Sequence, residues 1–213
     1  VPTYNDLFWP GQGNENLIPE TAKQGEIGFG YKRDKIRFDI GFYEINTKNK
    51  IVWTPSGDSQ RPGIWVPVNI DETRNRGIES HLQLQYTFFG LSWNAAVNYS
   101  YTIAKDLRLD KYLSFVPKHL LNANISITKD KWSLTFQNLY NGEVFTTQDN
   151  DVYLTVADYF IVNSILEYRL QSSLKSTITM GLRINNIFEE EYVVLPRRPM
   201  PLRNFNFNIN FKF

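Results

Sequence analysis

Two histidines and no cysteine limit what this chain could catalyse. A Ser-His-Asp hydrolase would need His81 or His119, and no nucleophile motif surrounds His81, so its surroundings assign it a structural role. Without cysteine there are no disulfides, thiolate metal sites or Cys nucleophiles. Glu189, Glu190 and Glu191 carry oxygen ligands, but a run of like charge at a strand end reads as a solvated rim. Asp149, Asn150 and Asp151 have calcium-like spacing, yet the glycine and distal glutamate of a calcium loop are missing. The expectation is therefore no catalytic residue, no metal, no cofactor and no enzymatic activity. A net charge of +1 argues against a nucleic-acid partner, which would need a concentrated basic face. What remains is binding chemistry. Trp53, Trp65, Tyr153 and Tyr192 lie in loop-like segments, as does Trp9, and could stack on a flat ligand. Arg197 and Arg198 could meet an anion.

The elements that must position these residues are strands. In the closing stretch, Phe205, Phe207, Ile209, Phe211 and Phe213 fall on one parity and Asn204, Asn206, Asn208, Asn210 and Lys212 on the other, which puts all the apolar surface on one face of a strand. The same two-residue alternation predicts strands at 26–31, 36–43, 78–88, 91–103, 121–128, 132–137, 162–169 and 177–185. Residues 1–20, rich in Pro, Gly and Asn, read as a loop or an irregular strand end, and 46–76 reads as a large loop with short extended pieces. No helix is predicted. An apolar run of about eighteen residues is absent, and the mean hydropathy is -0.38, so the chain has no transmembrane helix.

A soluble sandwich would bury the oily faces against a second sheet, whereas a membrane barrel turns them to lipid. The connections favour the barrel. Short turns near 33, 89, 130 and 172 alternate with long loops near 10, 60, 110, 150 and 195, as in a meander whose alternate connections are periplasmic turns and outer loops. Phe213 then lies on the periplasmic side. Trp93, Tyr99, Tyr101 and Trp132 have lipid-face parity near strand ends, as interfacial anchors do. About nine strands result, an open set that would leave two bare edges in lipid, so the expectation is a piece of a larger closed barrel that begins, at Val1, inside a loop.

Three stretches resemble one family. Residues 2–9 and 13–20, PTYNDLFW and GNENLIPE, are similar to a "PTFNDLYW…GNPNLKPE" segment of TonB-dependent outer-membrane receptors, Asn185 to Tyr192 to their "NLFDKDY" element, and Arg198 to Phe205 to "RPMPGRNF", with Leu202 standing where glycine is usual. The resemblance spans essentially all of residues 1–213. It implies an all-β, antiparallel up-and-down transmembrane barrel of which this chain supplies about nine C-terminal strands of 22, the N-terminal plug and earlier strands lying outside it. It further implies active import of a scarce ligand such as cobalamin or a ferric siderophore, with Trp53, Trp65, Tyr153, Tyr192, Arg197 and Arg198 as ligand-binding candidates of the outer loops. Phe205, Phe207, Phe211 and Phe213 would form the signal read by the barrel assembly machinery. The implied partners are outer-membrane lipid and lipopolysaccharide, the TonB energy-coupling protein through the plug, a small-molecule ligand and a surface lipoprotein. The alternatives are a passive porin-type or small closed barrel, and a secreted β-sandwich adhesion module.

Overall fold

The computed structural model describes residues 1–60, 63–171 and 176–212, so Phe213 and the turn after Gln171 lie outside the described residues. The chain runs α1 (Tyr4–Phe8), β1 (Thr21–Arg33), β2 (Ile36–Pro55), β3 (Trp65–Phe88), β4 (Leu91–Asp106), β5 (Lys111–Tyr112), β6 (His119–Lys129), β7 (Trp132–Asn141), β8 (Val144–Phe145), β9 (Thr155–Val156), β10 (Tyr159–Gln171), β11 (Thr177–Asn185), β12 (Val193–Leu195), β13 (Arg198–Pro199) and β14 (Asn204–Lys212). Nine long strands follow one another in the order β1-β2-β3-β4-β6-β7-β10-β11-β14, all antiparallel, with β5 added to the end of β4. This is the expected meander. Each predicted strand lies within or beside one of these nine.

The short turns have identifiable causes. Phe89 and Gly90 both take positive φ (49° and 71°), the backbone of a type I′ hairpin turn, whose twist matches that of the flanking strands. Asp34 (φ 36°) and Asp130 (φ 51°) open the other two described turns, aspartate being one of the few residues that tolerates this region.

The sheet is sided. Cross-strand pairing aligns Ile27 with Phe42, Leu82 with Val97, Ile125 with Phe136, and Leu182 with Phe207 on one face. No second sheet covers that face among the described residues: Ile27 is 72% exposed, Ile125 37% and Phe207 64%. A continuous apolar surface of this extent does not stay open to water, which removes the sandwich reading and fits a face turned to hydrocarbon. Near the short turns this face carries an aromatic group, with Trp132 against Tyr168 at 4.5 Å and Lys35 over the Tyr86 ring at 4.8 Å.

The opposite face is polar and close-fitted. Tyr43 lies across Gly77 and its hydroxyl meets Thr102 Oγ1 at 2.8 Å; a Cβ at Gly77 would come within 2.9 Å of the ring. Arg183 reaches over β10 to donate to Gln137 Oε1 at 3.1 Å.

Two expectations change. Residues 46–76 are not mainly loop: β2 and β3 stay paired from Ile36↔Leu84 to Pro55↔Trp65, leaving 56–64 as the connection. At about 3.3 Å per residue the 24 residues of β3 span roughly 80 Å, far more than a bilayer's hydrocarbon layer of about 30 Å, so the outer half stands in water. With both faces wet there is no alternation to read. The N-terminal loop also contains one helical turn, α1, closed by a reciprocal capping box in which Thr3 Oγ1 accepts from Asp6 N and Asp6 Oδ2 accepts from Thr3 N.

Candidate functional site

The outer ends of the strands bring three loop systems together. The first is the N-terminal segment, stapled to the β2–β3 hairpin by polar side chains. Trp53 Nε1 donates to Asp6 Oδ1 at 2.9 Å, Asn14 Nδ2 to the Pro67 carbonyl at 3.1 Å, and Glu20 Oε1 accepts from Ile51 N at 2.5 Å. Asn69 pairs with both backbone groups of Ile18, accepting at 3.0 Å and donating at 3.0 Å. Hydrogen bonds from the Thr3 hydroxyl, then the Thr3 backbone N–H and last Trp53 hold the Asp6 carboxyl below the ordinary carboxylate range. Gly13 sits where a Cβ would strike the Leu7 carbonyl, so the approach of the chain to the end of α1 requires glycine there.

The second system joins the loops 107–118 and 142–158. Asn150, at φ 56°, presents its side-chain amide like a strand edge, accepting from Tyr112 N at 2.6 Å and donating to the Tyr112 carbonyl at 2.8 Å. Phe115 N donates to the Phe145 carbonyl at 2.9 Å, and the Tyr112 and Phe145 rings stack with a 12° tilt. Lys118 Nζ lies 4.0 Å from the centre of the Tyr112 ring. The acidic run is thereby committed to structure: Asp151 Oδ1 accepts from Tyr153 N at 2.9 Å, and the Thr147 hydroxyl holds Asp149 below the usual carboxylate range. Among the described residues no group of three or more His, Cys, Asp or Glu is placed to hold a metal ion.

Beneath these joined loops lies a cavity of about 230 Å³, walled by Val52, Trp53, Ile70, Leu113, Phe115 and Val116, with Lys50, Asp106, Ser114 and Gln148 as its polar members. Ile70, Ala104 and Leu113 form the buried apolar cluster beside it. Trp65 packs against Phe115 at 6.1 Å and so supports the wall from behind.

The third system is the loop 186–203. Buried Asn186 organises it: its Oδ1 accepts from Glu190 N at 2.9 Å, its Nδ2 donates to the Glu190 carbonyl at 2.9 Å, and its own N donates to Asn163 Oδ1 at 2.8 Å. Tyr192 packs on Tyr159 at 4.7 Å and borders a second, shallower pocket of about 410 Å³ with Pro199, Met200 and Leu202. Glu189 pairs with Arg203 at 2.9 Å.

The six sequence-derived candidates therefore divide. Trp53 lines the first cavity, Trp65 packs behind its wall on Phe115, and Tyr192 borders the second. Tyr153, 91% exposed, and Arg197 and Arg198, on the exposed β12–β13 hairpin, line neither. Both histidines are bonded to neighbours instead of to a nucleophile, His81 Nδ1 to Asn98 Oδ1 at 2.7 Å and His119 Nδ1 to Tyr99 Oη at 2.9 Å. His81 lies on the inner wall, where a cavity of about 550 Å³ is floored by Gly28, Gly30 and Gly41 and rimmed by Glu26, Asp39 and Glu79. Sequence reasoning missed Lys50, Ser114 and Gln148, which stand in stretches with no periodicity, weighed Asn150 only as a calcium ligand, and assigned no role to Asn186. The signal for those two is residue type alone: asparagine is among the few residues that accept positive φ, as both do.

Comparison with known proteins places this geometry. A family model for the TonB dependent receptor-like β-barrel matches residues 1–187. The vitamin B12 transporter BtuB of Photobacterium profundum is 31% identical over 213 residues, covering all of this chain and 34% of that protein. The hemin receptor of Yersinia pestis is 25% identical over 216 residues, covering 94% of this chain and 29% of the receptor. Among solved structures, the copper transporter OprC superposes with a TM-score of 0.79 at 18% identity, over 100% of this chain and 35% of OprC. The ferric enterobactin receptor of Pseudomonas aeruginosa gives 0.68 at 22% identity, over 92% and 32%. The chain spans about a third of the length of these relatives. With a one-sided sheet that leaves its apolar face open and a family match over most of its length, this chain belongs to the TonB-dependent receptor-like β-barrel family.

Proposed function

We propose that this chain is the C-terminal wall and vestibule of an outer-membrane receptor that imports a scarce small molecule by active transport, cobalamin or a ferric siderophore being the substrate class. The observation that carries the reading is the pairing of a lipid-type outer face with a polar, indented inner wall, in a chain 31% identical to a vitamin B12 transporter. The remaining strands and a plug come from other parts of the polypeptide, and energy passes from TonB through that plug. The inner wall with its glycine floor is the surface the plug rests on. Ligand is captured above it by the outer loops, with Trp53, Trp65 and Tyr192 inside the loop assembly and Tyr153, Arg197 and Arg198 at its exposed tips, where the arginines also suit lipopolysaccharide phosphate. The C-terminus lies on the periplasmic side, and the aromatic series Phe205, Phe207, Phe211 and Phe213 serves assembly. No reaction chemistry is part of this function.

The test is uptake of labelled cyanocobalamin and of ferric siderophores by cells expressing the full-length polypeptide, with and without a proton-gradient uncoupler. Uptake that the uncoupler abolishes supports the reading. Uptake that persists without the gradient identifies a passive pore and sinks it.

A further inference from the structure

The cavity under the joined loops holds polar groups that the fold does not use. Among the described residues the Ser114 hydroxyl is buried in the cavity wall without a hydrogen-bond partner, a penalty a fold does not ordinarily carry. Lys50 is only partly exposed, and neither it nor Gln148 has a partner among the described residues. Asp106, by contrast, is occupied: its Oδ1 accepts from Arg108 N at 2.9 Å and Leu109 N at 3.0 Å, which ties it to the loop side of the cavity. A cation and an amide thus border a space whose other walls are the rings of Trp53, Tyr112 and Phe115, the Asp106 carboxylate and aliphatic side chains, with Ser114 among them. A few uncommitted polar groups set in an apolar concavity are the mark of a ligand site.

From this we infer that the cavity binds a flat, apolar ring system carrying a single carboxylate, either as a free aromatic acid or as one arm of a larger ligand. This inference rests on the import reading above and names a substrate chemistry for it. The size follows from volume: a dry cavity of about 150 Å³ admits one benzene ring, so about 230 Å³ admits two fused rings. The aromatic walls select a flat body. Lys50 supplies the charge that meets the carboxylate, with Gln148 as a further donor. The lining carries one cation, Lys50, and one anion, Asp106, so one acid group can be paired while a second would meet only the Asp106 charge.

The experiment is calorimetric titration of the full-length polypeptide in detergent micelles with 1-naphthoate and its neutral isostere 1-naphthamide. Saturable binding of one naphthoate is expected. Lys50→Met should weaken naphthoate by about tenfold or more, the range for losing a charge-assisted hydrogen bond, and change naphthamide by less than about threefold. Val116→Phe, which fills the cavity, should abolish both, and Gln148→Ala gives a smaller loss for naphthoate alone. Folding of each variant is checked by heat-modifiable migration. No saturable naphthoate binding to the folded wild-type protein overturns the inference, as does a folded Lys50→Met variant that binds naphthoate unchanged. Uptake is scored separately. A protein that imports cobalamin or siderophore without binding naphthoate refutes this cavity's role alone, while one that binds naphthoate with the expected variant pattern but shows no gradient-dependent uptake refutes the import reading alone.

Discussion

The inner halves of the strands and the projecting ends of β2 and β3 share one kind of backbone pairing, and their side chains obey different rules. Where the sheet crosses hydrocarbon, parity decides everything: Leu82, Val97, Ile125 and Phe207 stand on one face, while His81, Asn98, Asn124 and Asn206 stand on the other. Beyond the bilayer the pairing of β2 with β3 continues without a change of register, yet Lys48, Lys50, Glu72 and Arg74 are interspersed with Val52, Val68 and Ile70. Two solvents impose alternation and one does not. The projection is fastened instead by particular bonds: the Trp53–Asp6 contact, the Asn69 pairing with Ile18, and the Ile70–Ala104–Leu113 cluster.

The largest test of this contrast is a charge on each face of β14. Phe207→Arg places a guanidinium among lipid tails and removes a lipid-facing ring, so a loss of roughly 4–6 kcal/mol is expected, from about 2–4 for the charge and about 2 for the ring. Asn210→Arg, on the wet face, should cost less than about 0.5 kcal/mol. Urea unfolding of the full-length protein from lipid vesicles measures both. Equal effects would mean that the face carrying Phe207 does not meet hydrocarbon.

On the inner wall the relevant quantity is fit. Gly77→Ala drives a methyl group into the Tyr43 ring and the Tyr101 carbonyl, and backbone cannot yield as a side chain can. Overpacking of this kind costs about 1–3 kcal/mol. Tyr43→Phe, which keeps the ring and loses the bond to Thr102, should cost only about 1 kcal/mol. In the Tyr43→Ala background the part of the Gly77→Ala penalty owed to the ring should vanish while the clash with the Tyr101 carbonyl remains, and that coupling, read from a double-mutant cycle by urea unfolding, measures the ring's share.

What could be read from the chain follows the same division. The strands β4, β6, β11 and β14 are evident because each residue pair contrasts lipid with water, and the turns because Asp34, Phe89-Gly90 and Asp130 mark them. The outer half of β3 is invisible for lack of that contrast. Among the site residues, Trp53 and Trp65 stand out by type, but nothing local shows that Lys50, Ser114 and Gln148 meet, since they are brought together by pairing of distant strands and by the Asn150 bridge. The α1 turn is legible in principle, for Thr3 with Asp6 spaces a capping box, and is masked by the Pro and Gly around it.

Asn150 tests how the loops act as a roof. Its amide replaces one rung of a sheet, so Asn150→Ala removes two hydrogen bonds to Tyr112 and places alanine at a positive φ. About 1–2 kcal/mol of local stability should be lost. Hydrogen exchange should quicken in 107–118 and 142–158 together, with β6, β7 and β10 unaffected. Loosening of only one loop would show that they are not a single body.

The smallest expected effect belongs to Asp6, and its sign is fixed by linkage. Its carboxyl titrates below the ordinary range in the folded protein because the Thr3 hydroxyl, the Thr3 backbone N–H and then the Trp53 indole favour the charged form. A depressed folded value means that the staple is fully supported above the unfolded carboxylate range, near pH 4, and is lost as pH falls through the lower folded value. Trp53 emission should therefore hold steady from neutrality to about pH 4 and change only below it, while in Asp6→Asn it should stay flat across the same range. Asp6 is partly exposed, so screening keeps the effect small, and salt should reduce it further. A transition centred at pH 5 or above would assign the change to another group and would detach α1 from the forces that hold the projection upright.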